Sequence, residues 1–180
     1  MKFLIPFSIL IILSCATSNN KSKKPYGVIE TAYGTMVFSF YDEAPNHKQS
    51  FIKLANARYW DSLTFNRVIK DFVIQGGCPD TPEGFNESHY LLNPEFDEKL
   101  KHVYGAVGMG RDDNPEKKSA GCQFYIVNKK EGLPFLDGNY TVFGKLISGF
   151  NVLDSISNVQ TDSLDQPLEP VSLKVRVLYK

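Results

Sequence analysis

Residues 64–77 read TFNRVIKDFVIQGG, which is two short apolar runs followed by a pair of glycines. The runs at 64–69 and 72–75 are rich in β-branched and aromatic residues, and Gly76-Gly77 marks where the second run stops. This composition and this boundary are typical of short strands. Residues 64–77 therefore predict two neighbouring strands.

The side chains of these two strands are expected to divide between opposite faces. Because the side-chain period of a strand is two, Phe65, Arg67 and Ile69 should share one face of the first strand. Val73 and Gln75 should likewise share one face of the second. No acidic residue lies two positions from Arg67 along its strand, which favours a role for this cation toward a ligand over a surface ion pair.

Most of the remaining chain also shows strand patterns. We predict strands at residues 28–32, 35–41, 104–109, 123–127, 141–146 and 171–178. Two helices are predicted, one with Pro45 in its first turn that runs to about Ala57, and one over residues 150–157. About eight strands with only two helices favour a mainly β fold, a closed eight-stranded antiparallel barrel capped by the helices. Residues 78–100 show little periodicity and are expected to be a loop that shapes a site.

Length and charge narrow the class of protein. The chain has 180 residues, of which 20 are basic and 20 acidic, and it contains no run of five like charges. Such a balance argues against a nucleic-acid binder, which normally carries a basic excess on its binding face. Apolar residues make up 42%, which is typical of a folded domain and not of a disordered chain. We expect one domain over residues 27–180, large enough to fold without a metal or a disulfide.

The first 26 residues are expected to lie outside this domain. Residues 3–13 are an apolar stretch after Lys2, long enough for a signal peptide and short of the ~20 residues that span a bilayer. The stretch ends in ILSC, residues 12–15, which resembles a bacterial lipobox. We therefore expect residues 1–14 to be a lipoprotein signal peptide, Cys15 to be lipidated and residues 15–26 to be a flexible tether. The alternative is an ordinary secretory signal in which Cys15 is incidental.

The expected location follows from this anchor. Acyl chains on Cys15 would hold the protein at a membrane without a spanning helix. The next residue is Ala16 rather than Asp, which in some Gram-negative bacteria favours the outer membrane. The sequence therefore predicts a lipid-anchored protein of the cell envelope, at the outer membrane and facing the periplasm.

Two later segments add to the candidate site. Residues 121–126 carry Gln123 between apolar neighbours, and residues 135–144 bring several aromatic side chains. Together with Arg67 and Gln75 they predict an apolar, aromatic-lined groove with a cation and one or two amides at its edge. Such a groove suits a partly apolar ligand and carries no obvious apparatus for breaking bonds.

Metal and phosphate sites are not predicted. His47, His89 and His102 have no ligand-like spacing with one another or with the cysteines, so we expect no metal and no cofactor. The glycines at 105, 108 and 110 superficially suggest a phosphate loop. Their order is wrong for the dinucleotide-binding motif, and no helix is predicted after them.

The groove segments resemble motifs of the cyclophilin family of peptidyl-prolyl cis–trans isomerases. Residues 65–69 are similar to that family's Phe-His-Arg-Val-Ile motif, and residues 72–77 to its Phe-Met-Ile-Gln-Gly-Gly motif. Further similar motifs lie, in the family's order, at residues 102–110, 121–126 and 136–144. The resemblance covers about residues 27–180. It implies the barrel fold, isomerase activity without a cofactor, and proline-containing polypeptides as substrates.

The resemblance also implies roles for individual residues. It makes Arg67, Phe72 and Gln75 the catalytic residues, with Arg67 as the catalytic cation. The substrate-binding positions that it implies are Val73, Gly110, Arg111, Gln123, Tyr125, Phe135, Leu136 and Tyr140. Within that set, the glycine–arginine pair would flank the residue before proline and Gln123 would bind the substrate backbone. The proline pocket would be walled by Phe72, Val73, Tyr125, Leu136 and Tyr140. Phe135 would close its rim.

Several positions depart from the commonest pattern of the cyclophilin family. The replaced residues are Asn66 for His, Val73 for Met, Gly110 for Ala, Arg111 for Asn, Tyr125 for Phe, Phe135 for Trp and Tyr140 for His. Arg67 and Gln75 match the pattern. Because the replaced pocket residues remain apolar or aromatic, we expect the activity to be kept and the peptide preference to change.

Cys78 and Cys122 stand where the cyclophilin family usually has other residues. Each is next to a site motif, and an oxidising compartment would permit them to pair. We weigh a Cys78–Cys122 disulfide equally against two unpaired thiols.

Three classes of function are consistent with the sequence. The favoured one is an isomerase that assists the folding of exported proteins, acting as a monomer with no nucleic-acid partner. The second is a module that binds proline-containing segments without catalysis, which the intact Arg67 and Gln75 disfavour. The third is a structural lipoprotein that uses the barrel as a scaffold.

Overall fold

The computed structural model of the protein describes residues 23–79 and 91–180. Within these ranges the helices are α1 (Pro45–Asn56) and α2 (Phe150–Ile156), with a 3-10 helix at Pro134–Leu136. The strands are β1 (Pro25–Thr31), β2 (Gly34–Phe40), β3 (Thr64–Val68), β4 (Val73–Gly77), β5 (Leu91–Leu92), β6 (Ala106–Met109), β7 (Ser119–Ala120), β8 (Gln123–Val127), β9 (Val142–Ser148) and β10 (Val171–Tyr179).

Eight of the described strands close into a barrel in the order β1–β10–β3–β4–β8–β6–β9–β2, and β2 pairs back to β1. Each pairing in the barrel is antiparallel, and α1 packs against β9 and β10 while α2 packs against β2. The predicted mainly β barrel with two helices is confirmed. The separate β5–β7 pair was not predicted, because strands of two residues are too short to show alternation.

A register shift in β3 corrects the prediction that Phe65 and Arg67 share a face. Phe65 pairs with Gly76 and Arg67 with Gln75, so one residue, Asn66, is extra in β3. A bulge of this kind breaks the alternation of side chains along a strand. Phe65 is consequently buried in the barrel core, and Arg67 is free to line a groove.

Aromatic rings fill the barrel core. Phe51, on the buried face of α1, lies 4.7 Å from Trp60, 5.2 Å from Phe38 and 5.8 Å from Phe124, measured between ring centroids. The contacts of Phe51 with Phe38 and Phe124 are edge-to-face, and such pairs stabilise beyond the area that they bury. This core holds α1 against the barrel and supports β8, the strand that carries the candidate site residues Gln123 and Tyr125.

Element ends differ from the predictions by up to three residues. The strand predicted at residues 104–109 begins at Ala106 because Gly105 before it has φ +79°, a conformation outside the β region. At the N-terminus, Pro25 and Tyr26 are paired with Tyr179 and Leu178. The predicted tether to residue 26 is therefore too long at that end, because pairing with β10 extends β1.

The predicted signal peptide, Cys15 and most of the predicted tether lie outside the described residues, as do residues 80–90 of the predicted loop. None of the helices described in residues 23–79 and 91–180 has the length and apolar character needed to cross a membrane.

Candidate active site

A groove of about 320 Å³ brings ten residues together: Arg67, Phe72, Val73, Gln75, Gly110, Arg111, Gln123, Tyr125, Leu136 and Tyr140. All of them are residues that were predicted from the sequence to form the site. They come from β3, β4 and β8, from the turn between β3 and β4, from the segment after β6, and from the 3-10 helix and the residues that follow it. The groove therefore lies where the β4–β8 pairing meets the loops that follow β6 and β8.

Two amide side chains lie in the groove with different degrees of hydrogen bonding. Among the described residues Gln75 Nε2 is buried and has no hydrogen-bond partner. Gln123 Nε2 donates to the carbonyl oxygen of Cys78 at 3.2 Å. A buried donor without a partner is unfavourable by about 1–3 kcal/mol, so Gln75 is poised to donate to an acceptor on a ligand.

Arg67 has a carboxylate partner that was not predicted from the sequence. Its Nε lies 3.7 Å from Asp165 Oδ2, and the two side chains are partly exposed, at 35% and 43%. The Asp165 carbonyl oxygen also accepts the Val68 N–H at 2.8 Å. The prediction rested on the residues near Arg67 along its own strand, whereas this carboxylate comes from the loop before β10.

Phe72 is held by an asparagine that was also missed. Asn128 Oδ1 accepts the Phe72 N–H at 2.7 Å, and its Nδ2 donates to the Ile69 carbonyl at 2.9 Å. These bonds fix the turn between β3 and β4, in which Asp71 has φ +56°. An asparagine immediately after β8 was the only sequence signal for this contact.

Among the eleven predicted catalytic and substrate-binding residues, Phe135 is the one that does not line the groove. Its side chain is 65% exposed, and its ring stacks on that of Phe72 at 6.3 Å with a 5° interplanar angle. Phe135 thus extends the apolar wall outward from Phe72. The sequence had predicted it at the rim of the proline pocket.

Arg111 is fixed against Tyr140 at the other end of the groove. Its guanidinium carbon lies 4.6 Å from the centroid of the Tyr140 ring. Its Nε donates to the Asn139 carbonyl at 3.0 Å and its Nη1 to the Asp112 carbonyl at 2.7 Å. Backbone acceptors therefore hold this second cation in one orientation.

Cys78 and Cys122 form a disulfide at the end of the β4–β8 pair, with their Cα atoms 5.4 Å apart. The Cys78 N–H donates to the Cys122 carbonyl at 3.1 Å, and Trp60 Nε1 donates to the same carbonyl at 2.8 Å. Gln123 is the next residue along β8. The disulfide therefore links the end of β4 to the residue just before the groove residue Gln123.

The two described histidines outside the groove are each bound to a carboxylate. His47 Nδ1 lies 2.6 Å from Glu95 Oε2, and His102 Nδ1 lies 2.7 Å from Asp137 Oδ1. Within the described ranges no three His, Cys, Asp or Glu side chains group as a metal site would require. His89 lies outside the described residues.

Comparisons with known proteins agree with this geometry. Residues 26–177 match the family described as cyclophilin type peptidyl-prolyl cis-trans isomerase/CLD. The chain is 32% identical over 152 residues to the peptidyl-prolyl cis-trans isomerase CYP18-2 of Arabidopsis thaliana, across 83% of this chain and 90% of that protein. It is also 32% identical over 176 residues to a putative peptidyl-prolyl cis-trans isomerase of Staphylococcus aureus, across 82% and 88% of the two chains.

A crystal structure of a cyclophilin type isomerase from Cryptosporidium parvum, determined in the presence of the dipeptide Ala-Pro, has a TM-score of 0.75 with this chain. The sequences are 28% identical, and the match covers 86% of this chain and 98% of the other. The closed antiparallel barrel and the match over residues 26–177 are thus both those of a cyclophilin. The chain belongs to the cyclophilin family and is a peptidyl-prolyl cis–trans isomerase.

Proposed function

We propose that Arg67 stabilises the twisted X–Pro bond while Gln75 binds the substrate backbone and the apolar side of the groove holds the proline ring. The observation that carries this proposal is the buried, unpartnered Nε2 of Gln75, on the residue that pairs with Arg67 across β3 and β4. A peptide carbonyl that accepts from Gln75 would lie beside the Arg67 guanidinium.

The chemistry requires no covalent step. Rotation about a peptide bond faces a barrier of about 18–20 kcal/mol because the nitrogen lone pair is shared with the carbonyl. Uncatalysed X–Pro exchange therefore takes on the order of tens to hundreds of seconds. Twisting the bond localises the lone pair on the imide nitrogen, where the planar and permanently charged guanidinium of Arg67 can donate to it.

In the ground state the X–Pro bond is planar and the nitrogen lone pair is not localised. The Arg67 interaction is therefore strongest in the twisted state. An interaction that strengthens only in the transition state raises turnover, whereas uniform binding does not. Lowering the barrier by about 5–7 kcal/mol brings exchange to roughly the millisecond range. Phe72, Val73 and Leu136 hold the ring still while the acyl side rotates.

The test compares the full chain in mild detergent with its Arg67→Ala variant. The readout is the cis-to-trans rate of a short X–Pro peptide. We expect wild type to accelerate exchange strongly and Arg67→Ala to lose about 100-fold or more, which corresponds to about 3 kcal/mol. Lys145→Ala, which removes an exposed cation from β9, is the matched control and should keep full activity. A folded wild type without acceleration would favour the module that only binds proline-containing segments.

We further propose that the isomerase acts on exported proteins in the cell envelope, anchored through a lipid on Cys15 after removal of residues 1–14. Two observations support this proposal. The Cys78–Cys122 disulfide suits an oxidising compartment. In the barrel order, β1 lies across from β8, so a tether that joins the barrel at β1 starts on the opposite side from the strand that carries Gln123 and Tyr125.

Cys15→Ala tests the anchor in cells fed a labelled fatty acid. Wild type should take up the label and sediment with the outer membrane, whereas Cys15→Ala should do neither. Ser14→Ala keeps a small residue before the cysteine and is the matched control, expected to behave as wild type. Equal fractionation of Cys15→Ala and wild type would support an ordinary secretory signal.

A further inference from the structure

A buried chain of hydrogen bonds, the relay, runs behind the groove from Tyr125 through His102 to Asp137. The Tyr125 hydroxyl lies 2.7 Å from His102 Nε2, and His102 Nδ1 lies 2.7 Å from Asp137 Oδ1. Tyr125 is 4% exposed and His102 is 2% exposed. Only Tyr125 of these three lines the groove, so the other two act on it from behind.

The proton positions in this relay follow from the chemistry of its ends. Burial opposes ionisation of Asp137, yet the hydrogen bonds from His102 lower the pKa of this carboxyl. An ionised carboxylate only accepts, so His102 Nδ1 carries a hydrogen. Burial lowers the pKa of His102 despite Asp137, and the neutral ring then accepts the Tyr125 O–H at Nε2.

Gly108 provides the space that lets the Tyr125 hydroxyl reach His102. The two residues are paired across β6 and β8. A Cβ at position 108 would lie 2.3 Å from Tyr125 Cζ and 2.4 Å from its hydroxyl oxygen. The aromatic ring is rigid, so any side chain at 108 would displace it as a whole.

The opposite end of the relay holds the segment that carries Leu136. The Leu133 N–H donates to the His102 carbonyl at 2.7 Å, and the His102 N–H donates to Asp137 Oδ1 at 2.9 Å. Residue 102 therefore binds the chain on both sides of the 3-10 helix. Tyr125 and Leu136, two groove residues on different elements, are thereby tied to one buried imidazole.

We propose that His102 and Asp137 are positioning residues that fix Tyr125 relative to Leu136 and so set the width of the pocket that grips the proline ring. The proposal rests on the proposed function of the groove. A flat X–Pro bond tolerates a loosely held ring, whereas the twisted bond requires the ring to stay still while the acyl side rotates. Loosening the relay therefore lowers kcat more than it raises KM.

The main variant is Tyr125→Phe, which removes one buried oxygen and keeps the ring. We expect its kcat to fall about tenfold with KM changed less than about twofold, measured by exchange NMR on the full chain in detergent. Gly108→Ala displaces the same ring without touching His102 or Asp137 and should lower kcat likewise. Fluorescence of Trp60, the one tryptophan, reports whether each variant is folded.

A second buried histidine offers a matched control. His47 Nε2 lies 3.0 Å from Ser119 Oγ and its Nδ1 binds Glu95, so this set repeats the relay away from the groove. Ser119→Ala removes a buried hydroxyl from a histidine just as Tyr125→Phe does. We expect Ser119→Ala to lose stability and to keep the wild-type kcat.

A double-mutant cycle completes the test. If the relay acts as a unit, adding Asp137→Asn to Tyr125→Phe should lower kcat little further. The proposal is overturned if Tyr125→Phe and Gly108→Ala keep kcat within twofold of wild type, or if Ser119→Ala lowers kcat equally. A wild type without activity, or one matched by Arg67→Ala, would instead overturn the proposed function of the groove.

Discussion

The side-chain oxygen of Gln123 occupies the space that a Cβ on residue 110 would need: the two positions lie 2.1 Å apart. The glycine at 110 and the position of Gln123 therefore depend on each other. In this conformation Gln123 also donates to the Cys78 carbonyl at 3.2 Å. The amide end of Gln123 is thus held between β4 and the segment after β6, facing the groove.

We predict that Gly110→Ala displaces Gln123 and weakens substrate binding while leaving the fold intact. The contact is with the end of a flexible side chain, so the free energy of unfolding should change by less than about 1 kcal/mol. Loss of one hydrogen bond of about 1 kcal/mol should raise KM about fivefold. Peptide titrations followed by exchange NMR give KM.

The control for this prediction is the double variant Gly110→Ala/Gln123→Ala. Once the glutamine is truncated, the methyl group at 110 meets no obstacle from it. The double variant should therefore show the same KM as Gln123→Ala alone. Gly110→Ala with a wild-type KM would contradict the dependence of these two positions on each other.

Removing the carboxylate beside Arg67 should reduce activity modestly. The Asp165–Arg67 pair is long, at 3.7 Å, and both side chains are partly exposed. Such pairs contribute about 1 kcal/mol at most, so Asp165→Asn should lower kcat/KM by up to about fivefold. The loss should shrink at high salt, where exposed charges are screened. Glu169→Gln removes an exposed charge from the same loop and should have no effect.

The disulfide should contribute strongly to stability. It closes a loop of 44 residues between Cys78 and Cys122, and the loop-entropy relation then gives about 4 kcal/mol. Cys78→Ser/Cys122→Ser should therefore lower the urea midpoint, followed by Trp60 fluorescence. In reductant, the urea midpoint of wild type should fall toward that of the double variant. In the Cys15→Ala variant, whose only cysteines are Cys78 and Cys122, a thiol count of two in oxidised, denatured protein would show that the bond is absent.

Glu95 should make the protein sensitive to acid. Its two oxygens accept the backbone N–H groups of Asn46 and His47, and Oε2 lies 2.6 Å from His47 Nδ1. Burial opposes ionisation, but these bonds hold the pKa of Glu95 below its ordinary 4.5. A lowered folded-state pKa means that the stabilisation is complete above pH 4.5 and is lost as the pH falls through the folded value.

His47 acts in the same direction at higher pH. Burial lowers its pKa from the ordinary 6.5, although Glu95 opposes this change. Protonation therefore favours the unfolded chain as the pH drops below 6.5. We expect the free energy of unfolding to fall steadily from pH 7 to pH 3. Glu95→Gln should lose about 2 kcal/mol at pH 7 and show a flatter profile below pH 5. A profile as steep as that of wild type would refute the role of Glu95.

Much of the fold could be predicted from local patterns. Alternating apolar residues located the longer strands, and proline at the start of α1 located that helix. The groove residues were named from motif resemblance, and ten of the eleven line one cavity. Element ends were less accurate, because pairing decides them: β1 starts at Pro25 only because Tyr179 is opposite.

Local patterns in the sequence located the eight barrel strands approximately and named the side chains available to the groove, because strand periodicity and residue chemistry are local properties. The bulge at Asn66 that separates Phe65 from Arg67, and the position of Asp165 beside the cation, come from the tertiary structure. It alone also places His102 between Tyr125 and Asp137. These relationships join residues far apart in the chain. They depend on closure of the barrel, which no local pattern contains.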